Sequence, residues 1–310
     1  MISYLSPAFN ERSDEEVEFL RQVDPNSGFS LFWPDLVEPL LRCSNALNLL
    51  EIGAYRGDNT RLLEGYCALH AGRLTVVEPT VLPSLREIVD RSDRIELFEG
   101  TSHDALSILG GAVDAVMLEG DLNYYAVYHD LLGIEAMAAR LGAFFPVIFL
   151  RATGWPYARR DMYYNPSGLP VDAVNTYHWE GVSPWSQDLV AGMINYPYAN
   201  ADREGGPRNG VLTAAEDFVQ ATDLALKILT FPIHNGLSVI WPAGSAVDGF
   251  MEEQIGANLF IRLLETVELA RLNGIISRLE EDREAASDRL GRWEALLHRM
   301  VRRVFRSVRS

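Results

Sequence analysis

Lysine is almost missing from this chain. Lys227 is the single one, so arginine supplies nearly all the positive charge. Bases are also outnumbered: 27 Lys and Arg stand against 43 Asp and Glu, for a net charge of −16. A surface of that sign repels phosphates, so no nucleic-acid partner is expected. Cysteine is scarce too. Cys43 and Cys67 are too few for a disulfide framework in 310 residues and have no metal-ligand spacing, so both read as reduced core residues. No basic stretch followed by an apolar one opens the chain, so no signal peptide is expected and the expected location is the cytoplasm. Long hydrophobic runs are absent as well: the longest, Ala143 to Leu150, is far too short to span a bilayer. What remains is 48% apolar, enough to bury a sizeable core in one large α/β domain with an appendage.

The pattern divides into three parts. Residues 1–46 read as a helical accessory segment. Asp14 to Gln22 forms one helix capped by Ser13, and the aromatic run Phe29 to Trp33 leads into a second, Pro34 to Leu41. Residues 47–245 alternate. Strands are expected at Ala46 to Ile52, Arg73 to Val77, Ile95 to Glu99, Ala112 to Leu118 and Ala143 to Leu150. Helices fall between them at Thr60 to Leu69, Val81 to Arg91, Asp104 to Leu109 and Val127 to Leu141. Such a βαβ series implies right-handed crossovers and a parallel sheet with helices on both faces. A helix at Val211 to Asp223 precedes two strands, Leu224 to Pro232 and Gly236 to Pro242, whose short turn at Ile233-His234-Asn235 makes them antiparallel. Residues 153–210 interrupt the rhythm with Pro, Gly, Tyr, Trp and Asn. A connection that long inside a compact domain points to function, and here to a substrate loop.

Residues 249–310 read as one long helix. Leu272, Ile276, Leu279, Arg283, Ala286, Leu290, Trp293, Leu297, Met300 and Val304 follow steps of four and three, a heptad seam with one polar interruption. Two readings stand: a helix folded back on its own domain, or a coiled coil that makes a homo-oligomer, a dimer in the first instance, or joins another protein. His298 to Ser310 carries five Arg and no acid beside Met300, Val301, Val304, Phe305 and Val308. It suits either peripheral membrane contact as an interfacial helix or a solvated helix end whose arginines complement the dipole.

Chemistry concentrates where the first strand ends. Glu51-Ile52 runs into Gly53-Ala54-Tyr55-Arg56-Gly57-Asp58-Asn59-Thr60. Gly53 lets the backbone turn with no Cβ in the way, and Gly57 lets a ligand approach as the next helix begins. The spacing is not the dinucleotide G-x-G-x-x-G and no Walker lysine follows, which disfavours NAD and ATP. The segment Glu51 to Gly57 resembles motif I of the class I S-adenosylmethionine-dependent methyltransferases. The resemblance implies a Rossmann-like seven-stranded sheet with an antiparallel last strand, and S-adenosylmethionine (SAM) as cofactor. It places Glu51, Gly53, Tyr55, Gly57, Asn59 and Thr60 around the methionine end. Glu78, at the end of the second strand, falls where that family accepts bonds from both ribose hydroxyls. Thr101 and Ser102, after the third strand, fall where it contacts the adenine.

A narrower resemblance lies further on. Leu118-Glu119-Gly120-Asp121-Leu122-Asn123-Tyr124 is similar to the I-D-G-D-H-x-Y stretch of a branch that includes macrolide sugar O-methyltransferases and cephalosporin-hydroxylase-like proteins. In that branch the first Asp binds a divalent metal, the His is the general base, and acids ending the fifth strand complete the metal site. Here Glu119 takes the place of the Asp, Leu122 that of the His, and Arg151 stands where an acid is expected. One carboxylate beside an arginine does not hold a hard cation, so no metal is expected, and Glu119 is assigned to the cofactor side. Leu122 accepts no proton. Asp121, His178 and His234 are the candidates to replace it.

The segment after the fifth strand should overhang the reactive end. Arg151, Trp155, Arg159, Arg160, Tyr163, Tyr164 and Arg208 are the candidate substrate residues: guanidinium groups for a carboxylate or phosphate, aromatic faces for a sugar or ring. The reading is a metal-independent methyltransferase acting on a saccharide or natural-product hydroxyl. The alternative is a catalytically degenerate partner or scaffold in a biosynthetic assembly, favoured by Leu122 and Arg151.

Overall fold

The computed structural model describes residues 28–254, together with Leu263, Thr266 and Val267. The expected helix at Asp14 to Gln22, the heptad seam and the basic tail lie outside the described residues.

The strands begin and end where local chemistry allows. β1 (Asn48–Ile52), β2 (Arg73–Val77), β3 (Ile95–Phe98), β4 (Ala115–Leu118) and β5 (Val147–Arg151) alternate with α2 (Asp58–His70), α3 (Pro83–Asp90), α4 (Ser102–Ile108) and α5 (Tyr124–Leu141). β5 starts four residues later than the apolar run suggests. Pro146 has no N–H for the ladder, so pairing starts after it, and Phe144 is left exposed. α5 starts three residues earlier, because the Asn123 side chain accepts a hydrogen bond from Ala126 N at 2.9 Å and caps it.

The region expected to be one irregular loop is a built subdomain. It holds β6 (Met162–Tyr163), β7 (Tyr177–His178), β8 (Gly181–Ser183), β9 (Ser186–Val190) and β10 (Ala199–Ala201), arranged as a three-stranded sheet, β6-β10-β7, and the hairpin β8-β9. α6 (Val211–Ala221) then leads to β11 (Leu226–Phe231) and β12 (Leu237–Pro242).

The main sheet has the order β11-β12-β5-β4-β1-β2-β3. β1 to β5 pair in parallel, β12 runs antiparallel to β5, and β11 pairs antiparallel with β12. The last strand alone is therefore reversed. This is the Rossmann-like sheet of the methyltransferase type. One face buries Leu50, Ile52, Val116, Leu118 and Ile148 against Leu131 and Ile134 of α5 and Ala214 and Phe218 of α6.

The expected boundary at residue 46 is corrected in its described part. A 3-10 turn (Ser30–Phe32), a π-helical turn (Trp33–Val37) and α1 (Glu38–Cys43) replace the single helix, and Phe32, Leu36 and Leu40 are fully buried. They belong to the same compact unit as the sheet, which lies within residues 27–261. A short α7 (Ala246–Gln254) follows β12. Among the described residues no helix is long and apolar enough to cross a membrane.

Candidate functional site

In a sheet of this kind ligands bind beyond the carboxyl ends of the strands. Two cavities open there. The larger, about 570 Å³, is lined by Gly53 and Tyr55 after β1, Glu78 after β2, Thr101 and Ser102 after β3, and Glu119 to Asp121 after β4. The smaller, about 210 Å³, is lined by Glu119, Arg151, Tyr157, Asn195 and Asn235 among others. Glu119, Gly120, Tyr164 and Tyr198 line both, so the cavities share one wall.

The turn after β1 is fixed by backbone geometry. Gly53 has φ +84°, and a Cβ there would lie 2.4 Å from the Glu119 carbonyl oxygen. The β1 and β4 ends can approach only because the side chain is absent. Glu78 holds the same turn from the next strand. Its Oε2 accepts from Ala54 N at 3.0 Å and Tyr55 N at 2.9 Å, and its Oε1 accepts from Thr80 N at 3.0 Å. A carboxylate offers about four acceptor positions, so three backbone bonds leave Glu78 one for a ligand rather than a pair.

Glu51 is fully buried and turned toward the helix. It accepts from Thr60 Oγ1 at 2.6 Å and Asn59 Nδ2 at 2.9 Å, tying β1 to the first turn of α2. Glu51, Asn59 and Thr60 therefore shape the cavity from behind rather than line it. Burial pushes the Glu51 carboxyl up to about 7, against the two hydrogen bonds that favour its ionised form. Gly57 begins α2 at φ +85°.

Glu119 and Arg151 meet where the related branch would place a metal. Arg151 Nε lies 3.6 Å from Glu119 Oε1, and Arg151 Nη1 donates to Gly236 O at 2.7 Å. Arg151 is 2% exposed, with Phe29 and Phe32 rings 5.9 and 5.5 Å from its guanidinium carbon. About a third of the Glu119 side chain stays open to the cavities. Burial raises the Glu119 carboxyl above its ordinary range, and Arg151 opposes the rise. Among the described residues no group of His, Cys, Asp and Glu has a metal-binding arrangement.

The remaining expected residues separate. Asp121 and Tyr164 line the larger cavity. His178 does not reach either cavity; it is exposed and pairs through Nδ1 with Asp202 Oδ1 at 2.6 Å. His234 sits in the β11–β12 turn at φ +49°, and Asn235 rather than His234 lines the smaller cavity. Arg159 pairs with Glu216 through two bonds of 2.6 and 2.8 Å. Arg160 is buried and donates to the Ala201 and Gln187 carbonyls. Tyr163 is buried and donates to Asp161 Oδ2 at 2.8 Å. Trp155 is half-buried and Arg208 exposed at φ +51°, both outside the cavity linings. These assignments are corrected: Arg159, Arg160 and Tyr163 hold the subdomain together, because a carbonyl or carboxylate of the chain already satisfies each.

Three features were missed in sequence. Asp161 accepts four hydrogen bonds, from Tyr124 N and Gly210 N at 2.7 Å each, and from Tyr163 Oη and Asn175 Nδ2 at 2.8 Å each. It ties the starts of α5 and α6 to the subdomain. Tyr198 and Asn195 complete the smaller cavity from the connection between β9 and β10. Asp130 lines the larger cavity from α5.

No protein-family model matches the chain, and no curated protein is similar to it. Solved structures are. An SAH-bound methyltransferase from Podospora anserina is 18% identical with a TM-score of 0.44, over 74% of this chain and 88% of that one. A putative caffeoyl-CoA O-methyltransferase from Staphylococcus aureus is 13% identical with a TM-score of 0.43, over 77% and 93%. The plantazolicin methyltransferase BamL is 11% identical with a TM-score of 0.42, over 84% and 86%. At such identities and scores these likenesses bear on neither activity nor ligand. The sheet order above defines the fold on its own.

Proposed function

We propose that the chain is a SAM-dependent O-methyltransferase that works without a metal ion on a saccharide or natural-product hydroxyl. The observation that carries this reading is the charge of the larger cavity. Glu78, Glu119, Asp121 and Asp130 line it, and no Lys, Arg or His does. A nucleotide bearing phosphates would meet four carboxylates there. SAM carries a sulfonium and an ammonium against one carboxylate, so its sign suits the cavity, and its adenosine suits a lining that also holds Val77, Pro79 and Ala126. Gly53, Tyr55, Glu78, Thr101 and Ser102 would hold it. When bound, it supplies an activated methyl group.

The acceptor enters the smaller cavity. Asn195 and Asn235 offer it amides, Tyr164 and Tyr198 offer rings at the common wall, and Arg151 offers a fixed donor. A donor and an acceptor side by side, Arg151 and Glu119, suit a neutral hydroxyl better than an anion. Glu119 Oε1 or Oε2 takes the hydroxyl proton, which Leu122 cannot. Holding the hydroxyl in line supplies most of the rate. Arg151 provides the positive charge that a metal provides elsewhere.

Transfer of labelled methyl from SAM to a panel of saccharides and hydroxylated natural products, in EDTA, tests the reading. A labelled methyl ether formed in EDTA is the expected product. Transfer that appears only with added Mg²⁺ contradicts the metal-free mechanism.

A further inference from the structure

Asp130 is the one buried carboxylate of the larger cavity that the proposed chemistry leaves without a task. It lies on α5 among Val127, Leu131 and Ile134, all buried apolar residues on the same helical face. Its carboxylate is 7% exposed, and among the described residues Ser102 Oγ is its sole side-chain hydrogen-bond partner, donating to Oδ1. A buried carboxylate with most of its acceptor positions unfilled is a group that lacks donors. Burial pushes its carboxyl up to about 7, with Asp121 adding to the rise and Ser102 opposing it. A ligand N–H would relieve that position.

The topology says which part of a ligand would arrive there. The wall common to the two cavities, Glu119, Gly120, Tyr164 and Tyr198, marks the reacting end. That wall stands at the β4 end of the cavity. Ser102 follows β3, the edge strand three places away in the sheet order, so the Ser102–Asp130 pair marks the far end. A ligand laid across the strand ends puts its base against this pair.

We propose that Asp130, oriented by Ser102, reads the exocyclic amine of the cofactor's purine and so selects adenine over an oxo-purine. This rests on the SAM reading above. The carboxylate accepts from an amine N–H. An oxo group in the same place would bring oxygen against oxygen, with both partners acceptors.

Calorimetric titration of the full chain with S-adenosylhomocysteine (SAH) and with S-inosylhomocysteine, at pH 8, tests the assignment. The wild type should bind SAH at least about tenfold tighter, the ratio expected where one good hydrogen bond is exchanged for a buried unsatisfied pair. In D130N the ratio should fall to about threefold or less, because an amide turns either its oxygen or its N–H₂ toward the base. Wild-type binding of both ligands with equal affinity, a result that needs no variant, overturns the assignment and leaves the cofactor reading standing. An unchanged ratio in D130N overturns it as well. Failure of the wild type to bind SAH overturns both.

Discussion

Arg151 Nε stands 3.6 Å from Glu119 Oε1, so a buried cation of the chain occupies the neighbourhood where the related branch holds its metal. The pair is a positional exchange. The guanidinium replaces an ion, and its binding energy is built in during folding rather than drawn from solution.

The first prediction concerns that exchange. R151M leaves Glu119 without its counter-charge and the Gly236 carbonyl without its donor. Breaking a buried pair from one side destabilises by about 3 kcal/mol, and the partial openness of Glu119 puts the expected loss at the lower end of that range. The double variant E119Q/R151M should recover about 1 kcal/mol or more, and Mg²⁺ should leave the wild-type midpoint where it was. Urea unfolding of the three proteins reads this directly. A double variant less stable than R151M would mean that the two side chains do not act as a pair.

Glu51 gives a prediction with a pH sign. Its folded carboxyl is raised from 4.5 to about 7, so its ionisation opposes folding. Stability from this group is intact below about pH 4.5 and is lost as pH climbs to about 7. E51Q cannot ionise and keeps partners for Asn59 and Thr60. Relative to wild type it should gain up to about 3 kcal/mol between pH 4.5 and pH 8. Unfolding free energies at the two pH values check it; parallel curves would mean that Glu51 titrates normally.

Asp161 should behave as a keystone of the substrate subdomain. D161A removes the acceptor of four hydrogen bonds at a fully buried position, leaving donors from α5, α6 and two loop residues unmet. The expected loss is about 3–4 kcal/mol, with D161N between it and wild type. Amide exchange should accelerate first at Tyr124, Asn175 and Gly210. A loss under about 1 kcal/mol would place the organising contacts elsewhere.

How much of this the sequence discloses depends on the range of the forces involved. The β1–α2 turn was legible because Gly53 and Gly57 answer a local backbone demand, and the sheet was legible because each strand is a short apolar run between helical periods. The subdomain strands were not: β6 and β7 have two residues each, too few for any alternation. The Arg159-Arg160 doublet looked like an anion grip because sequence shows donors and hides acceptors. Glu216 lies 57 residues from Arg159, and the carbonyls that hold Arg160 have no side-chain signature. The His178 and His234 assignments failed for the same reason, since proximity to a cavity is a tertiary fact. Asp130 did carry a signal. It is an acid at the i+3 position of an apolar stripe, Val127-Asp130-Leu131-Ile134, where an unpaired charge would be costly unless something met it.

The account turns on what the acidic cavity accepts. Calorimetric titration of the full chain with SAH, in EDTA and again in Mg²⁺, measures it most directly, with ATP as the phosphate-bearing control. Micromolar SAH binding of the same strength in both buffers, with no heat from ATP, is the predicted result. SAH binding only in Mg²⁺ would contradict the replacement of the metal by Arg151, and no SAH binding in either buffer would contradict the methyltransferase reading itself.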